Sequence, residues 1–360
     1  MPSTKYPFAK QLLQWFDKNG RHDLPWQSDR TPYRVWISEI MLQQTQVNTV
    51  IPYFERFMDR FATVEELAAA QTDHVLHLWT GLGYYARARN LHKAAKVIVQ
   101  KRAGLFPGTV EGLMELDGIG KSTAGAIAAI SMGVRASILD GNVKRVLCRY
   151  NGIIGWPEQS LVKKQLWEIA ESLTPYDRVG DYTQAIMDLG ATVCKRSRPS
   201  CENCPFQLSC IGHQQDRISE FPGKKAKKTL PIKAVVMFIL QNEFGEVLLE
   251  KRPSAGIWGS LYSLPESAKP NTAPKLVGAS IDNGVNNERE ELEKIRHTFS
   301  HYHLDITPVR IQAIKLDEIA ETDRWLWYPL DHSLEVGLAA PVKKLLTKLA
   351  KKTNRYPNKN

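Results

Sequence analysis

Leu116-Asp117-Gly118-Ile119-Gly120-Lys121-Ser122-Thr123-Ala124 decides the fold of the N-terminal half. Two glycines around one apolar residue permit a tight turn between helices. The backbone N–H groups left at the start of the following helix then form a ready site for a phosphate. A Gly-x-Gly turn also serves as a plain helix connection, so the turn alone leaves both readings open. Downstream stands Ile138-Leu139-Asp140-Gly141-Asn142-Val143-Lys144-Arg145-Val146. Asp140, next to glycine and ahead of an amphipathic helix, is either a simple N-cap or a site carboxylate.

Four of the five cysteines fall within Cys194-x6-Cys201-x2-Cys204-x5-Cys210. That is too few for a disulfide scaffold in a chain of this length, and the crowding points to a metal or cluster site. Structural zinc usually takes two closely spaced Cys-x2-4-Cys knuckles, and the second pair here is wider. Four thiols in one compact loop suit a single [4Fe–4S] cluster. Cys148, on an apolar helix face with Val143 and Leu147, reads as core.

Toward the N-terminus, Thr31-Pro32 reads as an N-cap with proline at the first helical position. The expected helix runs through Trp36, Ile40 and Val47 and ends before Pro52. It contains Trp36-Ile37-Ser38-Glu39-Ile40-Met41-Leu42-Gln43-Gln44-Thr45-Gln46-Val47. Glu39 interrupts an apolar run, with Trp36 and Gln43 one turn away. It is either a surface glutamate or a carboxyl whose pKa desolvation raises, as a general acid near neutral pH requires. Further helices are expected at 64–70, 74–79, 86–102, 161–173 and 182–193. The composition changes at Phe221-Pro222-Gly223-Lys224-Lys225, and a β-branched and aromatic run opens at Ile232. Strands are expected at 232–240, 247–251, 295–299, 304–314 and 324–328, with a closing helix over 340–351.

Hairpin and Asp140 together resemble the helix-hairpin-helix-Gly-Pro-Asp superfamily of base-excision DNA glycosylases. The cysteine spacing matches that of its endonuclease III and adenine glycosylase group. With Trp36–Val47 and Gly81-Leu82-Gly83-Tyr84-Tyr85-Ala86-Arg87, nearly the whole chain resembles the adenine DNA glycosylases of the MutY family. Asp117 departs from the family's usual proline. The resemblance implies a multi-domain chain: an all-α helix-hairpin-helix glycosylase domain over 1–221 with a [4Fe–4S] loop at 194–210, followed by an α+β Nudix-like domain. A Lys/Pro-rich linker at 222–232, the Nudix-like domain at 233–350 and a basic tail at 351–360 complete the expected organisation.

The same resemblance makes Glu39 the acid that protonates adenine at N7. Asp140 becomes the carboxylate that stabilises or captures the sugar cation, with Asn142 positioning the site. Cys194, Cys201, Cys204 and Cys210 become cluster ligands, and Lys195, Arg196 and Arg198 a phosphate-contacting loop. Gly118 and Gly120 belong to the DNA-binding hairpin, and Leu42, Gln44 and Tyr84 lie against the base stack. Ser122 stands where lyases of the superfamily carry a Schiff-base lysine; a hydroxyl cannot form that imine, and Lys121 would point about 100° away around the helix. A monofunctional enzyme is therefore expected. Phe299-Ser300-His301 resembles the family's loop that recognises 8-oxoguanine. Arg289-Glu290-Glu291 only echoes the metal box of Nudix hydrolases, so that fold is expected without pyrophosphatase chemistry.

The net charge of +10 favours a polyanionic partner. The stretch 234–342 nevertheless sums to −6, so the excess lies in the Lys-rich linker and tail. The longest uncharged apolar run, Ala124–Val134, is too short to span a bilayer. The N-terminus lacks a continuous apolar core, so no cleaved secretion signal is expected. The expectation is a cytoplasmic, nucleoid-associated monomer that meets no membrane and acts on double-stranded DNA containing A:8-oxoG or A:G mispairs. Two alternatives are an endonuclease III-like lyase and a non-catalytic iron–sulfur DNA-scanning protein, in which Glu39 and Asp140 are structural.

Overall fold

The computed structural model describes residues 6–225, 229–267, 289–312 and 324–353. Lys227, Lys228, Arg355, Lys359 and the last two residues of the expected strand 304–314 lie outside them. The chain forms two compact units, Met1–Ala69 with Asn90–Lys227 and Ala70–Arg89 with Lys228–Asn360.

The first unit is helical, built from α1 (Tyr6–Asn19), α2 (Pro32–Leu42), α3 (Val47–Arg60) and α4 (Val64–Ala69). After α5 (Thr72–Trp79), which belongs to the second unit together with the first turn of the next helix, come α6 (Ala86–Arg102), α7 (Val110–Met114), α8 (Lys121–Met132), α9 (Gly141–Asn151), α10 (Ser160–Leu173), α11 (Val179–Asp188) and the short α12 (Ile211–Gln214). Thr31 caps α2 as expected, its side chain accepting from the Arg34 N–H. The single helix expected up to Pro52 is instead two. Gln43–Gln46 is a polar run with nothing to bury at helical spacing, and Gln44 turns to φ 59°. Pro52 sits inside α3, where it removes one backbone hydrogen bond near the start of the helix. The expected helix over 182–193 is α11 followed by a π-helical turn at Leu189–Val193.

The Gly118 turn is a hairpin between α7 and α8. Ile119 N–H bonds the Leu116 carbonyl at 3.2 Å, and Gly118 takes φ 83°, a conformation that costs glycine nothing. Asp117 pairs with Lys93 at 3.4 Å on the surface. Gly120 then caps α8. Ala124, Gly125, Ala126, Ala128 and Ala129 make α8 a small-faced, buried helix, against which α2 and α11 both pack. A neighbouring core of Phe8, Leu12, Phe16, Leu147, Leu166 and Ile186 fills the unit, with Cys148 inside it. Phe8 stacks on Phe206 at 4.2 Å and so anchors the cysteine loop.

In the second unit the sheet runs in the order β3 (Tyr262–Ser263), β2 (Val247–Lys251), β1 (Ile232–Gln241), β7 (His303–Gln312), β5 (Arg289–Glu291). β4 (Glu266–Ser267) pairs with β1, β6 (Ile295–Thr298) with β7 and β8 (Trp325–Tyr328) with β2. β1 and β7 run parallel from Ile232↔His303 to Gln241↔Gln312. β1 is buried continuously from Val236 onward, as a central strand covered on both faces should be. Arg289-Glu290-Glu291 lies on strand β5, with Glu290 3.7 Å from Arg310. A helix, α13 (Ala340–Thr353), closes the unit. Residues 70–89 belong here through defined contacts: Lys251 with Asp73 at 2.8 Å, Arg89 with the Gly259 carbonyl at 2.8 Å and the Tyr85 hydroxyl with the Leu338 carbonyl at 3.2 Å.

Asp188, at the end of α11, is fully buried. It accepts from the Arg21 backbone N–H at 2.8 Å and Nε at 3.1 Å, and from Gln184 Nε2 at 2.9 Å. Asp188→Ala should cost about 3–5 kcal/mol because it strands a partly buried guanidinium. A urea midpoint unchanged from wild type would contradict this.

Candidate active site

Five segments of the first unit converge on a cavity of about 550 Å³, lined among others by Glu39, Ser122, Asp140, Asn142 and Gln184. That volume is in the range of small-ligand sites. Helix α2 delivers Glu39 from a buried stretch that includes Trp36, Ile37 and Ser38. Its carboxyl meets the cavity but is otherwise enclosed, and among the described residues it has no hydrogen-bond partner. Burial pushes its pKa up to about 8, and the charge of Asp140 adds to the rise.

Asp140 is both of the things its sequence allowed. It caps α9, Oδ1 accepting from the Val143 N–H at 2.8 Å, and Oδ2 accepts from Asn142 Nδ2 at 3.2 Å. Burial raises its pKa, but the Val143 and Asn142 donors and the charge of Arg145 all act the other way. Glu39 has none of these supports. Two enclosed carboxyls thus compete for charge, and the hydrogen-bonded one is the better place for it.

Asn142 is held in turn by Arg145, whose Nη2 donates to Asn142 Oδ1 at 2.8 Å and to the Gly190 carbonyl at 2.6 Å. Arg145 Nε donates to the Cys194 carbonyl at 2.6 Å. The buried Arg149 organises the rest of the cysteine loop, donating to the carbonyls of Lys195 at 2.8 Å, Arg196 at 3.3 Å and Phe221 at 3.0 Å. Arg198 takes φ 51° in that loop. All five cysteines are free. Arg149 Nη1 stands 3.3 Å from Cys194 Sγ. Burial and the charges of the other thiols push Cys201, Cys204 and Cys210 up, Cys204 to about 12. Among the described residues, no group of three or more His, Cys, Asp or Glu is arranged to hold a metal ion.

Ser122 lines the cavity, and its Oγ accepts from the Leu139 N–H at 3.0 Å. Lys121 is turned away, its ammonium over the Trp167 ring at 4.3 Å. Leu42 lines the cavity, whereas Gln44 does not and is exposed. Tyr84 belongs to the second unit, half-exposed at φ 49°. Phe299, Ser300 and His301 form the tip of the β6–β7 hairpin, with Ser300 and His301 exposed. The cavity also includes Arg21, Gln43, Gln46 and Gln184, which sequence reasoning missed. Nothing local marks the pairing of Arg21 with Asp188, 167 residues away.

Residues 37–172 match the model of the HhH-GPD superfamily base excision DNA repair proteins, and residues 235–348 match a NUDIX domain. An adenine DNA glycosylase of Buchnera aphidicola subsp. Acyrthosiphon pisum (strain APS) is 41% identical over 349 residues, 97% of this chain and 99% of that protein. The chain belongs to the adenine DNA glycosylase family. The family member from Homo sapiens is 46% identical over 217 residues, 58% of this chain and 40% of its own. Among solved structures, a thermostable thymine-DNA glycosylase superimposes with a TM-score of 0.54 at 27% identity, covering 59% of this chain and 97% of that one. The architecture is therefore a helix-hairpin-helix glycosylase fold with a C-terminal Nudix-like domain.

An enclosed Glu39 should tax stability once it ionises. Its folded pKa lies above the unfolded value, so the folded state holds the proton longer. The penalty is absent near pH 4 and grows as pH rises from about 4.5 toward 8. Glu39→Gln removes the ionisable group and should match wild type near pH 4, then exceed it by a few kcal/mol at pH 8. Equal urea midpoints for the two proteins at pH 8 would show that Glu39 is solvated.

Proposed function

We propose that the protein is a monofunctional glycosylase that hydrolyses the N-glycosidic bond of adenine mispaired with 8-oxoguanine or guanine in duplex DNA. The observation that carries this reading is the enclosed Glu39, raised to about 8, in one cavity with the hydrogen-bonded Asp140. It is supported by the similarity to the adenine DNA glycosylases described above. The protein is read as a monomer, cytoplasmic and nucleoid-associated, with residues 1–221 carrying catalysis and 233–350 reading the opposite base.

Adenine leaves the duplex at a cost of a few kcal/mol and enters the cavity. Gln184 Nε2 is committed to Asp188, which leaves its Oε1 as an acceptor suited to the exocyclic amine. Protonated Glu39 gives its proton to N7, and the C1′–N9 bond breaks with its electron pair going to the base. The Asp140 carboxylate stabilises the cation at C1′, or captures it. Water then adds at C1′ and returns a proton to Glu39. Ser122 offers no amine at this point and Lys121 faces Trp167, so no Schiff base forms and the backbone stays intact.

Cys194, Cys201, Cys204 and Cys210 are the residues that would hold a [4Fe–4S] cluster. The four thiols are free and lie in one compact loop, and their second pair is spaced more widely than a zinc knuckle, which suits one [4Fe–4S] cluster. When bound, the cluster supplies the positive charge that buried thiolates need. Its loop would hold Lys195, Arg196 and Arg198 toward phosphates, while Gly118, Gly120 and the α8 N-terminus offer N–H groups to another. Leu42, Gln44 and Tyr84 would press on the stack, and Phe299, Ser300 and His301 would read 8-oxoguanine.

Adenine release should require Glu39 protonated and Asp140 ionised. The rate should fall as pH rises through about 8, where Glu39 loses its proton, and fall again in acid, at a pH above the ordinary aspartate value. Glu39→Gln should bind the mispair and release no adenine. Asp140→Asn should lose about 100-fold or more. Strand scission after alkali at an adenine opposite 8-oxoguanine reads all three, and wild-type turnover by either variant would overturn its role. Purified protein should contain iron and acid-labile sulfide in nearly equal amounts, while stoichiometric zinc without sulfide would reject the cluster.

A further inference from the structure

Away from the carboxylates, a chain of contacts runs through the second unit from the first turn of α6 to the tip of the β6–β7 hairpin. At one end, Arg89 is half-buried and its Nη1 donates to the Gly259 carbonyl at 2.8 Å. That is the only side-chain hydrogen bond of Arg89 among the described residues. Gly259 is the middle of a strained turn, because Trp258 on one side takes φ 56° and Ser260 on the other φ 61°. Non-glycine residues rarely hold such values, and two around one glycine persist only where the surroundings fix them. The surroundings here are tight. A Cβ on Gly259 would come within 2.3 Å of the Ser254 carbonyl oxygen, and the Ser260 N–H is shared between the carbonyls of Arg252 at 3.2 Å and Pro253 at 3.1 Å.

The turn places the Trp258 ring, which is 8% exposed, against two rings of the hairpin. It lies 5.3 Å from Phe299 and 5.5 Å from His297. Phe299 in turn meets His297 at 4.5 Å and Tyr302 at 4.9 Å, and Tyr302 meets His301 at 4.8 Å. Ser300 and His301 stand exposed at the end of this stack. The outer groups could adopt many rotamers by themselves, and it is the inner rings that limit them. A polar readout of a base edge loses affinity when its donors must first be ordered.

We infer that Arg89 is a positioning residue for reading the base opposite adenine: by holding the Gly259 carbonyl it fixes the Trp258–Ser260 turn, and Trp258 fixes the Phe299 ring on which Ser300 and His301 depend. The inference rests on the reading of residues 299–301 given above. Arg89 touches no base in this role. It acts through a carbonyl and a ring, so its loss should alter discrimination and leave adenine chemistry in place.

The test uses the full-length protein and duplexes carrying adenine opposite 8-oxoguanine or opposite guanine. Arg89→Ala should lower the ratio of kcat/KM between the two duplexes about tenfold, through KM. The single-turnover rate opposite guanine should change less than about twofold. Arg89→Lys, which keeps a donor, should recover most of the ratio. In the free protein, the His297 and His301 imidazole signals should shift in Arg89→Ala. Combining Arg89→Ala with Ser300→Ala and His301→Ala should lower the ratio no further than the latter pair does. If that pair lowers the ratio while Arg89→Ala leaves it intact, the inference falls and the reading of the loop stands. If the pair has no effect, both fall. Equal losses on both duplexes with a shallower salt dependence would show that Arg89 contacts phosphate, and would also overturn it. Trp258→Phe, which keeps a smaller ring, should give a partial loss of the ratio and serves if Arg89→Ala does not fold; no loss at all would count against the inference.

Discussion

The two oxygens of Asp140 hold the first unit and its chemistry together. Oδ1 closes the N-terminus of α9 and Oδ2 receives Asn142. Asn142 is gripped by Arg145, and Arg145 also grips the carbonyl of Cys194. An N-cap is worth about 1 kcal/mol of helix stability, a modest reward for enclosing a carboxylate. What the arrangement achieves is a fixed carboxyl, its orientation set by a helix terminus, with donors that oppose the upward push of burial on its pKa. Glu39, opposite it, has enclosure without donors. The contrast between the two carboxyls follows from one being at a helix start and the other in a helix middle, where the backbone has no free N–H to give.

This division explains what could be read from the chain. A Gly-x-Gly turn, an Asp before a glycine and four close cysteines are local patterns, and each marks a backbone or ligand requirement that tertiary packing does not override. Glu39 was legible because one charge among Trp36, Ile37, Ser38, Ile40 and Met41 conflicts with the apolar run. The break of α2 was less so, since Thr31 and Pro32 announce a start but Gln43–Gln46 carries no glycine or proline to announce a stop. Pro52 misled because its position in a helix depends on where that helix begins. The Arg21–Asp188–Gln184 triad was invisible, being a contact between distant segments that no periodicity encodes. Strands of two or three residues, such as β3, β4 and β5, were likewise too short to show a period.

Strain is distributed unevenly. Gln44, Tyr84, Arg198, Trp258 and Ser260 all hold positive φ without being glycine, at a cost of roughly 1 kcal/mol or more each. Three of these five, Gln44, Tyr84 and Arg198, are residues to which a DNA-contacting role is assigned above, while Ala103, Arg178 and Asp216 hold positive φ elsewhere. Gln44 follows the helix that carries Glu39, Tyr84 follows a Gly-Leu-Gly turn, and Arg198 sits among the cysteines. Left-handed residues aim side chains where regular structure cannot, which fits groups that must reach a ligand and not a core.

Residues 70–89 give the chain an interleaved layout, because a segment from the middle of the helical region packs with strands that come 160 residues later in sequence. Leu76 and Tyr85 in it are buried, and Tyr85 and Thr80 bond to Leu338. Cutting the chain at the linker therefore does not release a finished half. A fragment ending near residue 225 would keep this segment while losing its cover, exposing an apolar strip to solvent. Such a piece should be sticky and prone to self-association, and poor solubility of a truncated form would report lost wrapping and not damage to the carboxylate cavity.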